Sequence, residues 1–267
     1  MQCVNPLPLQ SSTGGDFTVP CGKCIGCRAA KSKEWTQRLL NEQQYWPTES
    51  FVTLTYDDDH YPEDGSLHKE HIQGFFKSLR KKLDPYKIKY FACGEYGENT
   101  LRCHWHSIIF GVDERFDKLI YESWPYGDRI SIDPVEPGAI AYVTGYVRKK
   151  IADNYGRYRK LGLALPFQLQ SQGLGLRWAI DNKDTLEKNG LTREGKNISI
   201  PRYYIRKLNL NGDVMYRELS ETYDERDREF IDRGMSYPEI VDELNRQRAQ
   251  HKKNLKGRMS LKSPGDL

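Results

Sequence analysis

The chain has 267 residues, of which 37% are hydrophobic and 12% aromatic, and its formal net charge is +4. This composition excludes a disordered protein, and the length allows one large domain or a catalytic domain with an appendage. No apolar stretch is as long as a membrane span, and residues 1–6 are too polar for a signal peptide. We therefore expect a cytosolic protein without a membrane partner.

Helical and strand patterns alternate between residues 28 and 152. Residues 1–19 lack such a pattern and contain Pro6, Pro8 and a Gly-Gly pair, which predicts a loop. The predicted helices cover residues 28–45, a segment with apolar residues at Ile72, Phe75, Phe76, Leu79 and Leu83, residues 116–124, and residues 138–152. The predicted strands cover residues 51–56, 87–96, 103–110 and 129–132, and the middle two form an antiparallel hairpin.

These elements predict an α+β fold with a central antiparallel β-sheet and helices packed on it. Such a sheet is expected to bury one face beneath the helices and to offer the other face to a substrate. We divide the chain into a cysteine-rich N-terminal element (1–27), a main domain (28–205) and a charged, helical C-terminal tail (206–267). Basic runs are compatible with nucleic acid but do not require it, and they lie at residues 80–82, 148–150, 157–160 and from residue 252 onward.

A tight array of cysteines near the start of the chain suggests a metal site. Cys21, Cys24 and Cys27 follow one another at intervals of three residues, and Cys3 could supply a fourth ligand. In a cytosolic chain, cysteines indicate metal binding or free thiols rather than disulfides. The spacing predicts a structural Zn²⁺ site, with an iron–sulfur cluster and free thiols as the alternatives.

A second candidate metal site lies in the predicted strand 103–110. Because side chains alternate along a strand, His104 and His106 point to one face of the sheet. Glu95, near the end of the preceding strand, is expected to lie beside them in the hairpin. Two imidazoles and one carboxylate leave open positions on a divalent ion, for which Mg²⁺ and Mn²⁺ are both candidates. The acidic run 57–59 is a rival source of a ligand, although its place after a strand favours capping of a turn.

Two tyrosines lie one helical turn apart, at Tyr142 and Tyr146, in the predicted helix 138–152. Their hydroxyls can act at one point in space, and Lys149 follows on the same side. A helical projection places all three away from the buried stripe around Val143. A free tyrosine has a pKa near 10, so attack at neutral pH needs a nearby cation or a metal-polarised phosphate. The pattern therefore predicts a tyrosine nucleophile beside the metal site.

Three motifs stand in order along the chain: Phe51-Val52-Thr53-Leu54-Thr55-Tyr56, then His104-Trp105-His106, then Tyr142 to Lys149. Together with the cysteine array and the segments 94–97 and 142–150, they resemble the HUH-superfamily rolling-circle replication initiators. Within that superfamily they are most similar to the initiators of small single-stranded DNA phages, in the gokushovirus branch of the microviruses. The resemblance covers residues 20–150, and to a lesser degree the segment to about residue 205.

The resemblance implies an RRM-like HUH endonuclease palm in which Glu95, His104 and His106 hold Mg²⁺ or Mn²⁺. It implies that Tyr142 or Tyr146 nicks single-stranded DNA at a replication origin and stays joined to the 5′ phosphate. The second tyrosine would then cut again after one round. The implied partners are a host helicase and the replication machinery, in the cytoplasm of the bacterial host.

Two other functions are compatible with the same residues. A non-catalytic, zinc-containing DNA-binding regulator would use the basic helices and the cysteines, but it has no need of Glu95, the histidines or the tyrosine helix. A metallohydrolase would use the histidines, and its tyrosines would be incidental. The formation of a covalent protein–DNA product separates this hydrolase from a strand transferase.

Overall fold

The computed structural model describes residues 3–10, 16–136, 138–149, 154–210, 229–230 and 232–260. The chain divides into two compact units. The sheet unit comprises residues 31–175, and the terminal unit comprises residues 1–30 together with 176–267. The three-part division expected from the sequence, with boundaries at residues 27 and 205, stays a prediction.

The secondary structure alternates helices and strands through most of the described chain. The strands are β1 (Leu7–Gln10), β2 (Asp16–Val19), β3 (Glu49–Thr55), β4 (Lys89–Tyr96), β5 (Cys103–Phe110), β6 (Ile130–Pro134), β7 (Gln168–Gln170), β8 (Leu191–Arg193) and β9 (Lys196–Ile198). The helices are α1 (Ile25–Gln43), α2 (Lys69–Leu83), α3 (Asp117–Tyr121), α4 (Ala139–Lys149), α5 (Asn154–Lys160), α6 (Leu176–Asp181), α7 (Lys183–Asn189), α8 (Arg202–Leu208) and α9 (Tyr237–Ser260). A 3₁₀ turn at Glu114–Phe116 precedes α3.

A five-stranded antiparallel sheet forms the centre of the sheet unit. Its spatial order is β6-β3-β5-β4-β7, and every neighbouring pair is antiparallel. The hairpin of β4 and β5 and the strands β3 and β6 lie where the sequence predicts them, within about two residues at each end. The predicted α+β class with a central antiparallel sheet is confirmed.

Helix α2 covers one face of this sheet. Its apolar residues recur at helical spacing and are all buried, at Ile72, Phe75, Phe76, Leu79 and Leu83. They join the side chains that point to this face from the strands, among them Leu54 and Trp105. Trp105 is fully buried, and its indole N–H donates to the hydroxyl of Tyr56 at 3.2 Å. The residue between the two histidines is therefore a core anchor on the opposite face.

The second face of the sheet is also covered, contrary to the expectation that it would be open to a substrate. Trp35 and Leu39 of α1 pack there, together with Ile140 and Val143 of α4. The strands make this face apolar as well, with Phe91, Ile108 and Phe110. An apolar face has to be removed from water, so helices pack on both faces. The histidines lie near the end of β5, beyond this apolar region.

The terminal unit contains two small hairpins and several short helices. Strands β1 and β2 pair in register, with Leu7 opposite Val19, so the predicted loop at residues 1–19 is wrong. Pro8 is tolerated because a two-stranded sheet leaves one edge of each strand without partners. Strands β8 and β9 form the other hairpin, and a small apolar cluster includes Ala179, Leu186, Leu191, Tyr204 and Leu210.

The C-terminal region contains the long helix α9. Much of the predicted charged tail lies outside the described residues, namely 211–228 and 261–267. Among the residues that the structure describes, no helix has both the length and the apolarity needed to cross a membrane.

Candidate metal and tyrosine site

The hairpin of β4 and β5 brings a carboxylate and two imidazoles together. Glu95 lies opposite His104 in the strand register, and Cys93 lies opposite His106. Oε1 of Glu95 is 3.0 Å from Nε2 of His104 and 3.4 Å from Nε2 of His106. One possible ligand atom from each of these three residues lies within 4.8 Å of the others. Three donor atoms therefore converge on one point.

The hydrogen bond on the far side of His104 favours a cation at this point. Nδ1 of His104 lies 3.1 Å from the carbonyl oxygen of Arg102, which can only accept, so Nδ1 carries a proton. Nε2 of the neutral imidazole then presents a lone pair to the Glu95 carboxylate, 3.0 Å away. These two groups repel each other unless a proton or a metal ion lies between them. The donor set of two nitrogens and one oxygen fits a divalent metal ion.

Strand β3 supports the second imidazole. Oγ1 of Thr53 lies 3.0 Å from Nδ1 of His106, and the ring of Phe51 lies parallel to the imidazole with centroids 5.7 Å apart. These contacts fix the plane of the ring and leave Nε2 directed at Glu95. Neither β3 residue was singled out from the sequence as part of a site. The available signal was period-two alternation, which places both on the histidine face once β3 pairs with β5.

The two tyrosines of α4 lie against this group. The hydroxyl of Tyr146 donates a hydrogen bond to the hydroxyl of Tyr142. The ring of Tyr146 is parallel to that of His106 with centroids 5.3 Å apart, and Tyr142 meets the same imidazole edge-on at 5.7 Å. Both phenols therefore lie beside one of the three converging side chains.

Both phenols are hard to ionise in this environment. Burial, followed by the negative charge of Glu95, raises the pKa of Tyr146. Burial also raises the pKa of Tyr142, although the hydrogen bond from Tyr146 opposes the rise. Since both shifts disfavour the phenolate, the tyrosines are neutral at pH 7 unless positive charge is added beside Glu95.

The burial of Tyr146 differs from the sequence prediction that both tyrosines lie away from the buried stripe. Tyr146 is only 4% exposed and belongs to the same apolar cluster as Val143. Helix α4 packs on β4 and β5, so its tyrosine side as well as its apolar stripe meets the protein. Tyr142 is half-buried. The side chain of Lys149, the third catalytic candidate, lies outside the described part of the structure.

A cavity of about 270 Å³ adjoins the carboxylate and one tyrosine. Its walls include Glu95, Tyr96, Glu98, Tyr146, Arg157 and Tyr158. Arg157 is exposed on α5, and the sequence marked it only as part of a basic run. The cavity thus places an arginine cation on the same walls as a candidate ligand and a candidate nucleophile.

The acidic run that follows β3 has other contacts. Oδ1 of Asp57 accepts the backbone N–H of His60 at 2.7 Å, and the carboxylate of Asp58 pairs with Arg102 at 2.8 Å. The run therefore caps a turn, and its members do not belong to the group formed by Glu95 and the histidines.

The terminal unit holds a second convergent group, formed by Cys3, Cys21, Cys24 and Cys27. Sγ of Cys3 lies 3.6 Å from Sγ of Cys21 and 3.7 Å from Sγ of Cys24, and all four sulfurs lie within 4.8 Å of one another. None of the chain's six cysteines, all of which the structure describes, forms a disulfide. The four sulfurs are therefore placed to hold a metal ion.

Backbone N–H groups surround these sulfurs. Sγ of Cys24 receives the N–H of Val4 at 3.4 Å and that of Cys27 at 3.5 Å. Burial raises the pKa of the Cys24 thiol, but these donors outweigh it and lower the pKa to about 6. Burial and the hydrogen bond to Cys3 raise the pKa of Cys27 to about 12. The site thus stabilises thiolate at Cys24 before any metal charge is added.

Known proteins resemble this chain in the region that contains the sheet and the tyrosine helix. The family described as "Replication-associated protein ORF2" and its phage counterparts matches residues 49–151. The chain is 31% identical over 219 residues to "Replication-associated protein ORF2" of Spiroplasma virus 4, a match that covers 72% of this chain and 68% of that protein. No solved structure matches the chain significantly.

Two further relatives have similar descriptions. "Replication-associated protein ORF4" of Chlamydia phage 1 is 31% identical over 219 residues, which cover 72% of this chain and 54% of that protein. "Replication-associated protein VP4" of Bdellovibrio phage phiMH2K is 31% identical over 188 residues, which cover 57% of this chain and 59% of that protein. The matches thus span less than two thirds of these two relatives.

The fold and the site define an α+β protein with a candidate metal group beside paired tyrosines. The chain belongs to the family of replication-associated proteins of microvirus-type phages.

Proposed function

We propose that this protein is a metal-dependent DNA endonuclease and strand transferase that starts, and ends, rolling-circle replication of a small single-stranded DNA phage. The observation that carries the proposal is the placement of two hydrogen-bonded tyrosine hydroxyls beside the group formed by Glu95, His104 and His106. A binding protein has no need of this combination. The family membership supports a role in phage replication.

In this proposal Glu95, His104 and His106 hold Mg²⁺ or Mn²⁺. Such an ion would polarise the scissile phosphate and favour ionisation of a phenol beside it. Arg102 and Thr53 orient the imidazoles, so that both Nε2 atoms face the carboxylate. The raised pKa of each tyrosine means that the nucleophile stays protonated until that positive charge is present.

The reaction is a transesterification. The phenol oxygen of Tyr142 or Tyr146 attacks the DNA phosphorus, and the bond from phosphorus to the 3′ oxygen breaks. The proton lost by the phenol is balanced by the proton that the 3′ hydroxyl gains. The 5′ phosphate stays on the protein, and the new 3′ hydroxyl can prime synthesis. Because one phosphodiester replaces another, resealing needs no ATP.

The second tyrosine allows a second cleavage while the first one carries DNA. Their hydroxyls are in hydrogen-bond contact, so one phosphate position serves both. Arg157 in the adjoining cavity and Lys149 at the end of α4 are the cations we assign to phosphate oxygens. The proposed partners are single-stranded DNA at the phage origin and the helicase and replication machinery in the cytoplasm of the host bacterium.

The direct test is the formation of a covalent adduct. The full chain is incubated with single-stranded phage-origin oligonucleotides and Mn²⁺, and the mixture is denatured in SDS. We expect a protein band of reduced mobility that carries labelled DNA and is absent when EDTA is added. Cleavage without attachment would indicate a metallohydrolase instead. Neither cleavage nor attachment on authentic origin DNA would indicate a zinc-containing DNA-binding regulator.

A positioning role for Thr53 predicts a loss of metal affinity. Changing Thr53 to Val removes the oxygen beside Nδ1 of His106 while keeping the shape and β propensity of the side chain. We expect Mn²⁺ to bind about 10- to 100-fold more weakly, as is usual when a partner of a metal-bound histidine is lost. Calorimetric titration measures this affinity. Thr53→Ser keeps the oxygen and should bind like the wild type, so equal affinities for the Val variant would refute the assignment.

We also propose that the four cysteines hold a structural Zn²⁺ ion. Sulfurs on a tetrahedral zinc, with bonds of about 2.3 Å, lie about 3.8 Å apart. The distances of 3.6 and 3.7 Å from Cys3 to its neighbours fit this geometry. In an iron–sulfur cluster with several irons, cysteines on different irons stand farther apart because the cluster lies between them. The convergence of the sulfurs therefore supports a mononuclear site.

Loss of one cysteine ligand should release this zinc. We expect the purified protein to contain about one equivalent of zinc, and Cys24→Ser to retain almost none. Because metal binding contributes to folding, the melting temperature should fall by several degrees, at about 2–4 °C per kcal/mol for a chain of this size. Elemental analysis and calorimetry measure the two effects. Cys93→Ala, at a buried cysteine outside the group, should keep its zinc; equal zinc contents in all three proteins would contradict the proposal.

A further inference from the structure

Helix α9 separates its charges along its length. Its first part contains Glu239, Asp242 and Glu243 and no lysine or arginine. From residue 246 to residue 258 there is no acidic residue, and the basic residues are Arg246, Arg248, Lys252, Lys253, Lys256 and Arg258. This run is the densest block of one charge sign in the helix, and the proposed nicking chemistry makes no use of it.

The helix dipole does not account for the run. Cations stabilise a helix only within its last turn, near the exposed carbonyl groups. Of the six cations, Arg258 alone lies in the last turn of α9. Arg246 lies nearly four turns before the end, since each turn takes about 3.6 residues. The other five cations therefore need a different explanation.

The cations cluster on one side of the helix. At about 100° per residue, five of the six fall within an arc of about 160°, and Arg258 lies outside it. The apolar residues Leu244 and Leu255 lie roughly 110–120° from the centre of that arc. Leu255 is buried and Leu244 half-buried, so the apolar side meets protein and the basic side faces outward.

The basic side is accessible. Arg246, Lys252, Lys253 and Lys256 are exposed. Among the described residues, Arg246 is the member of the run with an ion pair, to Glu243 at 3.3 Å. The three lysines form no ion pair with any other described residue. Their charges are therefore available to an external anion.

We propose that this basic face of α9 binds the phosphodiester backbone of DNA, and so holds the strand at a place separate from the tyrosines. The run extends over about 18 Å at 1.5 Å per residue, a length that spans several consecutive phosphates. Evenly spaced lysines without aromatic neighbours suit a backbone, which carries one charge per nucleotide, rather than base recognition. The proposal rests on the proposed function only in taking DNA as the partner.

The test is the salt dependence of DNA affinity. In the full chain, Lys252, Lys253 and Lys256 are changed together to Gln, which keeps helix propensity and removes three charges. We expect the slope of log K against log salt to become less steep by about 2 on single-stranded DNA and about 3 on duplex DNA. On single strands the affinity at 0.15 M salt should fall about 50-fold, a figure that follows from the same slope.

A matched control separates this face from net charge. Lys183, Lys188 and Lys196 are exposed residues of the same unit, and changing them together to Gln removes the same charge. This control and the conservative Lys→Arg triple in α9 should keep the wild-type slope. An unchanged slope in the α9 Gln triple, or an equal change in the control, would overturn the proposal.

The outcome is independent of nicking. At low salt and saturating DNA, the α9 Gln triple should form the covalent adduct as the wild type does. A reduced slope without any adduct in either protein would sink the nicking proposal and leave the DNA-binding face intact. Preferential loss of binding to an acidic protein, with DNA affinity unchanged, would assign the face to a protein partner instead.

Discussion

Changing both Tyr142 and Tyr146 to Phe is expected to abolish the covalent protein–DNA product. The variant keeps both rings against His106 and loses only the two hydroxyls, so folding and metal binding should be preserved. Removal of the group that forms a covalent intermediate costs a large part of the rate acceleration, and we expect a loss of about 10⁴-fold or more. The rate of adduct formation on an origin oligonucleotide measures the effect.

Each single variant should still form the adduct, because the remaining hydroxyl occupies nearly the same position. The matched control is Tyr121→Phe, an exposed tyrosine whose hydroxyl donates to the carbonyl of Ile130. It should react like the wild type. An adduct that persists in the double variant would mean that another residue is the nucleophile, and the assignment of α4 would be wrong.

Changing Glu95 to Gln is expected to reduce both metal binding and adduct formation. The carboxylate supplies the only negative charge among the three converging side chains, and its amide replacement binds a divalent ion poorly. We expect adduct formation to fall at least about 100-fold, the upper end of the losses seen when a mere supporting partner of a metal site is removed. Titration with Mn²⁺ and the adduct assay measure the two quantities on the same preparation.

Two opposing effects meet in this variant. Loss of the negative charge of Glu95 removes one cause of the raised pKa of Tyr146, which by itself would make the phenol easier to ionise. Loss of the metal ion removes a larger positive charge, so the net result is less phenolate. Glu98→Gln, in the same cavity but outside the converging group, should keep metal affinity and activity. Wild-type adduct formation in Glu95→Gln would exclude Glu95 as a ligand.

The local patterns of the sequence predict the sheet unit well where one rule decides the structure. Apolar residues at helical spacing predict α2 and its buried side, and strand alternation around a polar turn predicts the β4–β5 hairpin. The same hairpin rule brings Glu95 beside His104, because register follows from the turn. These features depend on residues that are near one another in the chain.

Features that depend on distant residues were missed. Strand β7 has three residues and no alternating pattern of its own, and it exists because β4 offers it an edge. The hairpin of β1 and β2 contradicted the loop prediction for a similar reason, since pairing overrides the weak propensity of Pro8. The burial of Tyr146 follows from the packing of α4 on the sheet, which a projection of the isolated helix does not contain.

The supporting residues of the site were equally hidden. Thr53 and Phe51 become neighbours of His106 only when β3 pairs with β5. Arg157 reaches the cavity from α5, about 60 residues after Glu95 in the chain. Residues that ligate or react are recognisable by type, whereas residues that orient them are recognisable only by contact.

The most direct measurement of the central claim is the mass of the peptide that carries DNA. Trypsin should release both tyrosines in one peptide, residues 130–148, because no lysine or arginine lies between Arg129 and Arg148. After reaction with origin DNA and digestion of the DNA to its attached nucleotide, mass spectrometry locates the modification. The account predicts a 5′-linked nucleotide on Tyr142 or Tyr146. A nucleotide on any other residue, or cleaved DNA with this peptide unmodified, would contradict it.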